Sequence, residues 1–267
     1  HKMIDLHNHV LPNIDDGSKS LDISLSMLAC AAEQGITNVV NTVHYQHPKV
    51  EGLDISYKKI QFATEKLQNE LNVNNIPIKL HIGAEVYYLP NLLEIKNDPL
   101  VTFGNGKYML IEFQPYLLPN TYKQIFFDLK MSGITPIIAH PERYKAVQDN
   151  FNIVYEWLNS GYLIQVSAGS LLGLMGKPAK IIAEKIIMNN YCQVLGSDAH
   201  NNSKRNFLLR EALEIAEKLI GKEAYKLVYD NPKSIINGRP ISINPIEYKE
   251  NKFFSFFWSI LKNKNEK

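Results

Sequence analysis

The sequence has few cysteines, no long apolar segment and little net charge, and each of these shortages excludes a class of protein. Cys30 and Cys192 are the only cysteines in 267 residues, so a disulfide framework and a cysteine-based zinc knuckle are both excluded. No apolar run reaches the roughly 18 residues that a membrane-spanning helix needs, and the start of the chain lacks the apolar region of a secretory signal. We therefore expect the protein to be cytoplasmic.

The charge of the chain argues against nucleic acid as a partner. The net charge is +2, and the basic residues are scattered rather than gathered in a stripe. No Gly-x-Gly-x-x-Gly segment follows any strand-like run, which disfavours a dinucleotide-binding fold. Two classes remain, a soluble enzyme and a binding module, each with a ligand other than nucleic acid or a dinucleotide.

Short apolar runs rich in β-forming residues alternate with longer helical patterns along the whole chain. This alternation predicts an α/β single domain with a parallel sheet, most simply closed into a seven-stranded (β/α) barrel, and an open doubly wound sheet is the alternative. We place the barrel domain at residues 3–240 and a C-terminal tail at 241–267. The predicted strands are Met3–Leu6, Asn38–Thr42, Ile78–Gly83, Tyr108–Glu112, Thr135–Ala139, Leu163–Val166 and Gln193–Gly196. The predicted helices are Ser20–Gln34, Ile55–Asn72, Tyr122–Met131, Ile153–Asn159, Pro178–Asn189 and Asn206–Ile220.

Histidines and acids recur where the predicted strands end. His7 and His9 project to one face because side chains alternate along an extended strand. Since the carboxyl ends of barrel strands share one face, we expect all of these side chains to converge there. The other residues of this set are His44, Glu85, Glu112, His140, Asp198 and His200.

Imidazoles and carboxylates without a thiolate suit Zn²⁺, Mn²⁺ or iron. The set offers more ligands than one ion can use, so two or three ions are expected. Such ions lower the pKa of bound water and supply hydroxide at neutral pH, which makes metal-assisted hydrolysis the predicted reaction class.

Taken together, the motifs resemble the polymerase-and-histidinol-phosphatase (PHP) family. Within it, they resemble most closely the bacterial manganese-dependent tyrosine-protein phosphatases associated with capsule and exopolysaccharide synthesis. The similarity runs from about Met3 to about Ile236. The motifs that carry it are Asp5-Leu6-His7-Asn8-His9, Asp15-Asp16-Gly17, Thr42-Val43-His44, Gly83-Ala84-Glu85-Val86, Leu110-Ile111-Glu112-Phe113, Ala139-His140-Pro141-Glu142-Arg143-Tyr144 and Gly196-Ser197-Asp198-Ala199-His200-Asn201.

The resemblance implies a distorted TIM-like barrel, the PHP fold, and a ligand set for two or three ions, most simply Mn²⁺ with Zn²⁺ or iron as alternatives. It implies that Glu85 bridges a first ion to a second. It also gives catalytic roles to Arg143, Arg205 and Asp198, and the two arginines are the residues that bind phosphate. By the same resemblance the ligand sets are His7, His9, Glu85 and Asp198 for one ion, Glu85, Glu112 and His140 for the second, and Asp16, His44 and His200 for the third.

The implied substrate is phosphotyrosine on a protein, namely a bacterial tyrosine kinase that controls exopolysaccharide synthesis. Neither cysteine is followed five residues later by arginine, so the phosphatase loop with a cysteine nucleophile is absent and the metals must carry the reaction. The alternatives are a small-molecule phosphatase such as a histidinol-phosphatase, a phosphodiesterase acting on nucleic acid, and a metal-stabilised binding module.

Some polar and aromatic residues receive other interpretations. We interpret Asp15 as a turn cap, His47 as a solvated loop residue at the mouth of the site rather than a ligand, and His81 as a hydrogen-bonded core histidine. The aromatic and basic segment Lys252–Lys262 is expected to pack on the barrel or on a second copy in a homo-oligomer. Weak contact with a membrane surface is the alternative for this tail.

Overall fold

The computed structural model describes residues 2–246, and within them seven parallel strands follow one another around a sheet in chain order. This confirms the predicted α/β barrel. The strands are β1 Met3–Asp5, β2 Ile36–Tyr45, β3 Lys79–Tyr87, β4 Tyr108–Glu112, β5 Thr135–Ala139, β6 Leu163–Ser167 and β7 Val194–Gly196. The helices are α1 Leu21–Glu33, α2 Tyr57–Val73, α3 Leu92–Ile95, α4 Tyr122–Met131, α5 Lys145–Asp149, α6 Asn152–Asn159, α7 Ala168–Leu171, α8 Lys177–Met188, α9 Leu209–Ile220 and α10 Asp230–Ile236.

The sheet closes where the chain leaves β1 and β7. The Asp198 amide donates to the His7 carbonyl at 2.7 Å, and the His9 amide donates to the Ala199 carbonyl at 2.8 Å. The buried Asp5 carboxylate adds a side-chain link, because it accepts hydrogen bonds from the Ser197 amide at 2.7 Å and hydroxyl at 2.8 Å. Asp5, the first acid of the opening motif, therefore fastens the two edges of the barrel.

Two apolar layers hold the barrel. The inner layer includes Ile4, Val40, Leu110, Ile137 and Val194, all buried. Their neighbours along each strand point outward and pack against the helices, as the period of two in a strand requires. The lumen is thus a packed apolar core, and the histidines and acids of the predicted site lie at its carboxyl end.

The predicted helix positions agree closely with the structure, whereas two strands are longer than predicted. Ser20 caps α1 by accepting a hydrogen bond from the Ile23 amide at 3.2 Å, and α4 spans the predicted range. Strands β2 and β3 extend to Tyr45 and Tyr87 because their ladder continues through the pairing of His44 with Glu85. His44, Glu85 and Glu112 therefore lie within the last residues of strands, where we had placed the first two after the strand ends.

Short helices α3, α5, α7 and α10 were not predicted, since four to seven residues leave too little periodicity to recognise. Within residues 2–246, no helix combines the length and apolar character that crossing a membrane requires. The predicted tail boundary falls near the end of the described range. Ile241 and Ile243 pack against the inner apolar layer, and the aromatic segment Lys252–Lys262 lies outside the described residues.

Candidate metal centre

The polar side chains of six strands meet at the carboxyl end of the barrel, as predicted. His140 directly follows β5 and Asp198 is the second residue after β7; both lie in the left-handed backbone region, with φ of 32° and 51°. A residue other than glycine rarely adopts such a conformation, and the strain is typical of functional sites. Here the two turns bring the carboxylate of Asp198 and the imidazole of His140 over the barrel mouth.

Glu85 lies at the centre of this cluster and is 1% exposed. Its Oε1 accepts a hydrogen bond from His140 Nε2 at 3.0 Å. Its Oε2 is 3.2 Å from His7 Nε2, 3.3 Å from His9 Nε2 and 3.3 Å from His44 Nδ1. Four imidazoles thus surround one carboxylate, which places Glu85 between the two ligand sets that we expected it to bridge.

The donor atoms fall into groups small enough to hold single ions. One group joins His7, His9 and Glu85, and another joins Glu85, Glu112 and His140, with the donor atoms of each group within 4.8 Å of one another. A third joins His9, Asp16, His44 and His200. Asp198 lies beside the first group, with Oδ1 3.7 Å from both His7 Nε2 and His9 Nε2. All nine expected ligands are therefore brought together.

The cluster has the properties of a cation site. Several buried ligand atoms make no hydrogen bond to any residue of the described range, namely His7 Nε2, His9 Nε2, His44 Nδ1 and Nε2, His200 Nε2, Asp16 Oδ1 and Glu112 Oε2. Burial and the neighbouring charges of Glu85 and Asp198 raise the pKa of Glu112 to about 8. Buried unpaired lone pairs and crowded carboxylates are both costly unless a cation joins them, so the residues fit a metal centre.

Outer hydrogen bonds orient the histidines. Gln165 Oε1 lies 2.8 Å from His7 Nδ1, and Asp15 Oδ2 lies 2.8 Å from His9 Nδ1. Burial alone would lower the pKa of His9, but Asp15 and then Glu85 outweigh it and raise that pKa well above its usual value. Asp15 also accepts from the Gly17 amide at 2.9 Å, so it is both the turn cap that we predicted and the partner of His9. Gln165 was not predicted, although a buried glutamine in a barrel strand is itself unusual.

Gly17 is the point of closest backbone approach in the site. A Cβ atom at this position would lie 2.2 Å from the His9 carbonyl oxygen and 2.4 Å from His9 Cβ. Gly17→Ala is therefore expected to displace His9 and to lower the free energy of unfolding by about 1–3 kcal/mol, the usual range for overpacking. Metal affinity should fall in parallel, because His9 belongs to two of the ligand groups.

The measurement is urea unfolding with and without added metal. Gly52→Ala is the control, because its Cβ would meet nothing within 4 Å and φ is +76°, so it reports backbone strain alone. Equal destabilisation of the two variants, with unchanged metal binding in Gly17→Ala, would contradict the prediction.

The two arginines reach the centre through Asp198. Arg143 Nη2 lies 2.7 Å from Asp198 Oδ2, and Arg205 Nη2 lies 2.8 Å from the same oxygen. Arg143 also donates to the Ser167 hydroxyl at 2.7 Å. Burial would raise the pKa of Asp198, but Arg143 and the other nearby cations hold it well below its usual range. Two guanidinium groups thus meet at one edge of the metal cluster, where a dianion could bind.

His47 was predicted to be a solvated loop residue at the mouth of the site rather than a ligand; it does lie at the mouth, but the structure shows that the prediction of a solvated side chain was wrong. Its side chain is 12% exposed and Nε2 lies 3.6 Å from Glu112 Oε2. Burial and the charges of His44 and Lys49 lower the pKa of His47 to about 4. The sequence offered no sign of this burial, since it depends on the path of the loop that follows β2. His81 does hydrogen-bond, with Nε2 2.8 Å from Asn38 Oδ1, as predicted.

The comparisons with known proteins agree with this geometry. A family model described as capsular polysaccharide synthesis, CpsB/CapC, matches residues 3–237. Tyrosine-protein phosphatase YwqE of Bacillus subtilis is 31% identical over 257 residues, covering 96% of this chain and 100% of that protein. Tyrosine-protein phosphatase CpsB of Streptococcus agalactiae serotype V is 33% identical over 250 residues, covering 90% and 100%.

A solved structure gives the same fold. It comes from work on YwqE from Bacillus subtilis and CpsB from Streptococcus pneumoniae, described there as unique metal-dependent tyrosine phosphatases. Its TM-score is 0.87 at 30% identity, over 93% of this chain and 100% of that chain.

Proposed function

The chain belongs to the capsular polysaccharide synthesis CpsB/CapC family, and from this premise we propose that it is a metal-dependent phosphatase acting on phosphotyrosine in proteins. The observation that carries the proposal is the convergence of four imidazoles on the buried Glu85 carboxylate, next to two arginines. The first feature suits metal ions and the second suits a phosphate dianion.

The ligands fall into three sets for two or three divalent ions, Mn²⁺ being preferred and Zn²⁺ or iron being alternatives. When bound, the ions supply a Lewis acid for the phosphoryl oxygens and lower the pKa of water. Glu85 belongs to the first two sets, and its negative charge would offset the repulsion between two cations held there. The sets are His7, His9, Glu85 and Asp198, then Glu85, Glu112 and His140, then Asp16, His44 and His200.

Arg143 and Arg205 bind the phosphoryl group and stabilise the charge that develops on it. In the structure both guanidinium groups pair with Asp198 Oδ2, so they are already held at the edge of the metal cluster. The leaving phenol has a pKa of about 10, so the phenolate needs little help from an acid. The metal ligands and two arginines therefore suffice for a phosphotyrosine monoester.

A protein substrate is also compatible with the rim of the site. Loops that follow the strands carry exposed apolar side chains, and Tyr116 is 83% exposed only four residues beyond Glu112. Such side chains suit contact with another protein better than binding of a small polar molecule. The other exposed apolar residues on these loops are Leu53, Leu89, Leu117 and Leu174. We propose a bacterial tyrosine kinase as the substrate, the cytoplasm as the location, and residues 3–240 as the catalytic domain.

The test is a comparison of substrates with and without metal. Phosphotyrosine peptide, histidinol phosphate and single-stranded DNA are each incubated with Mn²⁺ or with a chelator, and product release is measured. Hydrolysis of the peptide is expected to be fastest and to fall at least ~10³-fold with chelator, because loss of the Lewis acid removes several kcal/mol of transition-state stabilisation. Chelator-insensitive hydrolysis would overturn the proposal, and preference for histidinol phosphate would favour the small-molecule alternative.

A further inference from the structure

Three histidines of the centre, His7, His9 and His200, share one arrangement of hydrogen bonds. Each of the three has an oxygen atom beside Nδ1, and a carboxylate, carbonyl or amide oxygen can only accept. Nδ1 therefore carries the proton and Nε2 presents a lone pair to the site, which is the form that a metal ligand requires. The pairs are His7 with Gln165 Oε1 at 2.8 Å, His9 with Asp15 Oδ2 at 2.8 Å and His200 with the Asp198 carbonyl at 2.9 Å.

His47 has the opposite arrangement. The backbone amide of Lys49 donates to His47 Nδ1 at 3.0 Å. Because an amide N–H cannot accept, Nδ1 must be the unprotonated nitrogen and Nε2 must carry the proton. The ring is fixed by stacking on His44, at 4.4 Å between centroids and 27° between planes, and by an edge contact with Tyr87 at 4.7 Å.

The protonated nitrogen of His47 faces Glu112. His47 Nε2 lies 3.6 Å from Glu112 Oε2, slightly beyond a hydrogen bond and within reach of a small side-chain rotation. Oε2 is buried and makes no hydrogen bond to any residue between 2 and 246. The other oxygen, Oε1, lies 3.7 Å from His140 Nε2. A donor on Oε2 would therefore leave Oε1 turned toward the Glu85 and His140 ligand set.

We propose that His47 is a positioning residue, a neutral hydrogen-bond donor whose Nε2–H holds Glu112 Oε2 and so orients the second metal set. His47 Nε2 is close enough to His44 and Glu112 to suggest a metal ligand. Metal binding through Nε2 would require the proton on Nδ1, where it would point at the N–H group of Lys49. The inference rests on the proposed function for its metals and adds a residue outside the nine ligands.

Two substitutions of His47 distinguish a hydrogen-bond donor from a metal ligand. His47→Gln keeps an N–H donor of similar reach, whereas His47→Leu removes it. His81→Leu is the control, because His81 is also partly buried but bonds to Asn38, at the amino end of β2. Metal stoichiometry and affinity are measured by calorimetry and elemental analysis with Mn²⁺. The state of each imidazole is read from ¹⁵N shifts of histidine-labelled protein loaded with Zn²⁺.

At saturating Mn²⁺ all variants are expected to bind the same number of ions. The affinity of the weakest ion should fall about 10-fold in His47→Leu, the low end for loss of an outer-shell partner, and less than about 3-fold in His47→Gln. His47 Nε2 should remain protonated with Zn²⁺ bound. A metal-bound shift for His47, loss of an ion in both variants, or equal affinity in all three proteins would each overturn the inference. Absence of phosphotyrosine hydrolysis in the wild type would refute the proposed function and leave these metal readouts intact.

Discussion

Glu85→Gln is expected to reduce kcat for phosphotyrosine hydrolysis by about 10³-fold or more, a loss of ~4 kcal/mol in transition-state stabilisation. The side chains are nearly identical in shape, so the fold should persist. The amide, however, has no charge to offset two neighbouring cations, and its N–H group would face imidazole nitrogens that now lie 3.0–3.3 Å from Glu85 oxygens. Both ions that share Glu85 should therefore bind more weakly.

The measurement is kcat together with metal content after dialysis. Glu142→Gln provides the matched control, because Glu142 is equally buried but belongs to none of the metal groups found among residues 2–246. Its Oε1 accepts a hydrogen bond from the Ser167 amide at 3.0 Å, and an amide oxygen can do the same. The control should lose less than about 10-fold in kcat, as expected for a neutral hydrogen bond. Glu85→Gln with near-normal kcat and full metal content would contradict a bridging role.

The convergence around Glu85 could be predicted from the sequence because two simple regularities act together. Side chains such as His7 and His9 alternate along a strand, and the carboxyl ends of parallel strands share one face. Even the error in the end of β3 left Glu85 at that face. Short strand patterns locate the site well because the barrel topology, rather than the strand boundary, brings the residues together.

The outer contacts could not be predicted in this way. Gln165 belongs to β6, which supplies no expected ligand, and its contact with His7 spans 158 positions in the chain. The orientation of His47 depends on the turn formed by Pro48–Val50 and on the direction of one amide. Such contacts follow from the three-dimensional path of loops and leave no periodic pattern.

Removing Arg143 is expected to have the second-largest effect. Arg143→Gln should lower kcat/KM for a phosphotyrosine peptide by about 10²–10³-fold, the range found when one preorganised donor to a developing anion is lost. The guanidinium is fixed in advance by Asp198 at 2.7 Å and by the Ser167 hydroxyl at 2.7 Å. Arg143→Lys should restore little, because an ammonium cannot replace a planar group that bonds in two directions.

The loss of Arg205 can be compared with the loss of Arg143 in the same site. Its side chain is 33% exposed against 18% for Arg143, so solvent screens it more and its loss should cost about 10–10²-fold in kcat/KM. Since both arginines contact Asp198 Oδ2, the double variant should lose less than the product of the two single effects. Metal content is measured in all variants and should stay constant. If it fell with activity, the arginines would act by holding Asp198 in place for the metal, and phosphate binding would not explain the loss.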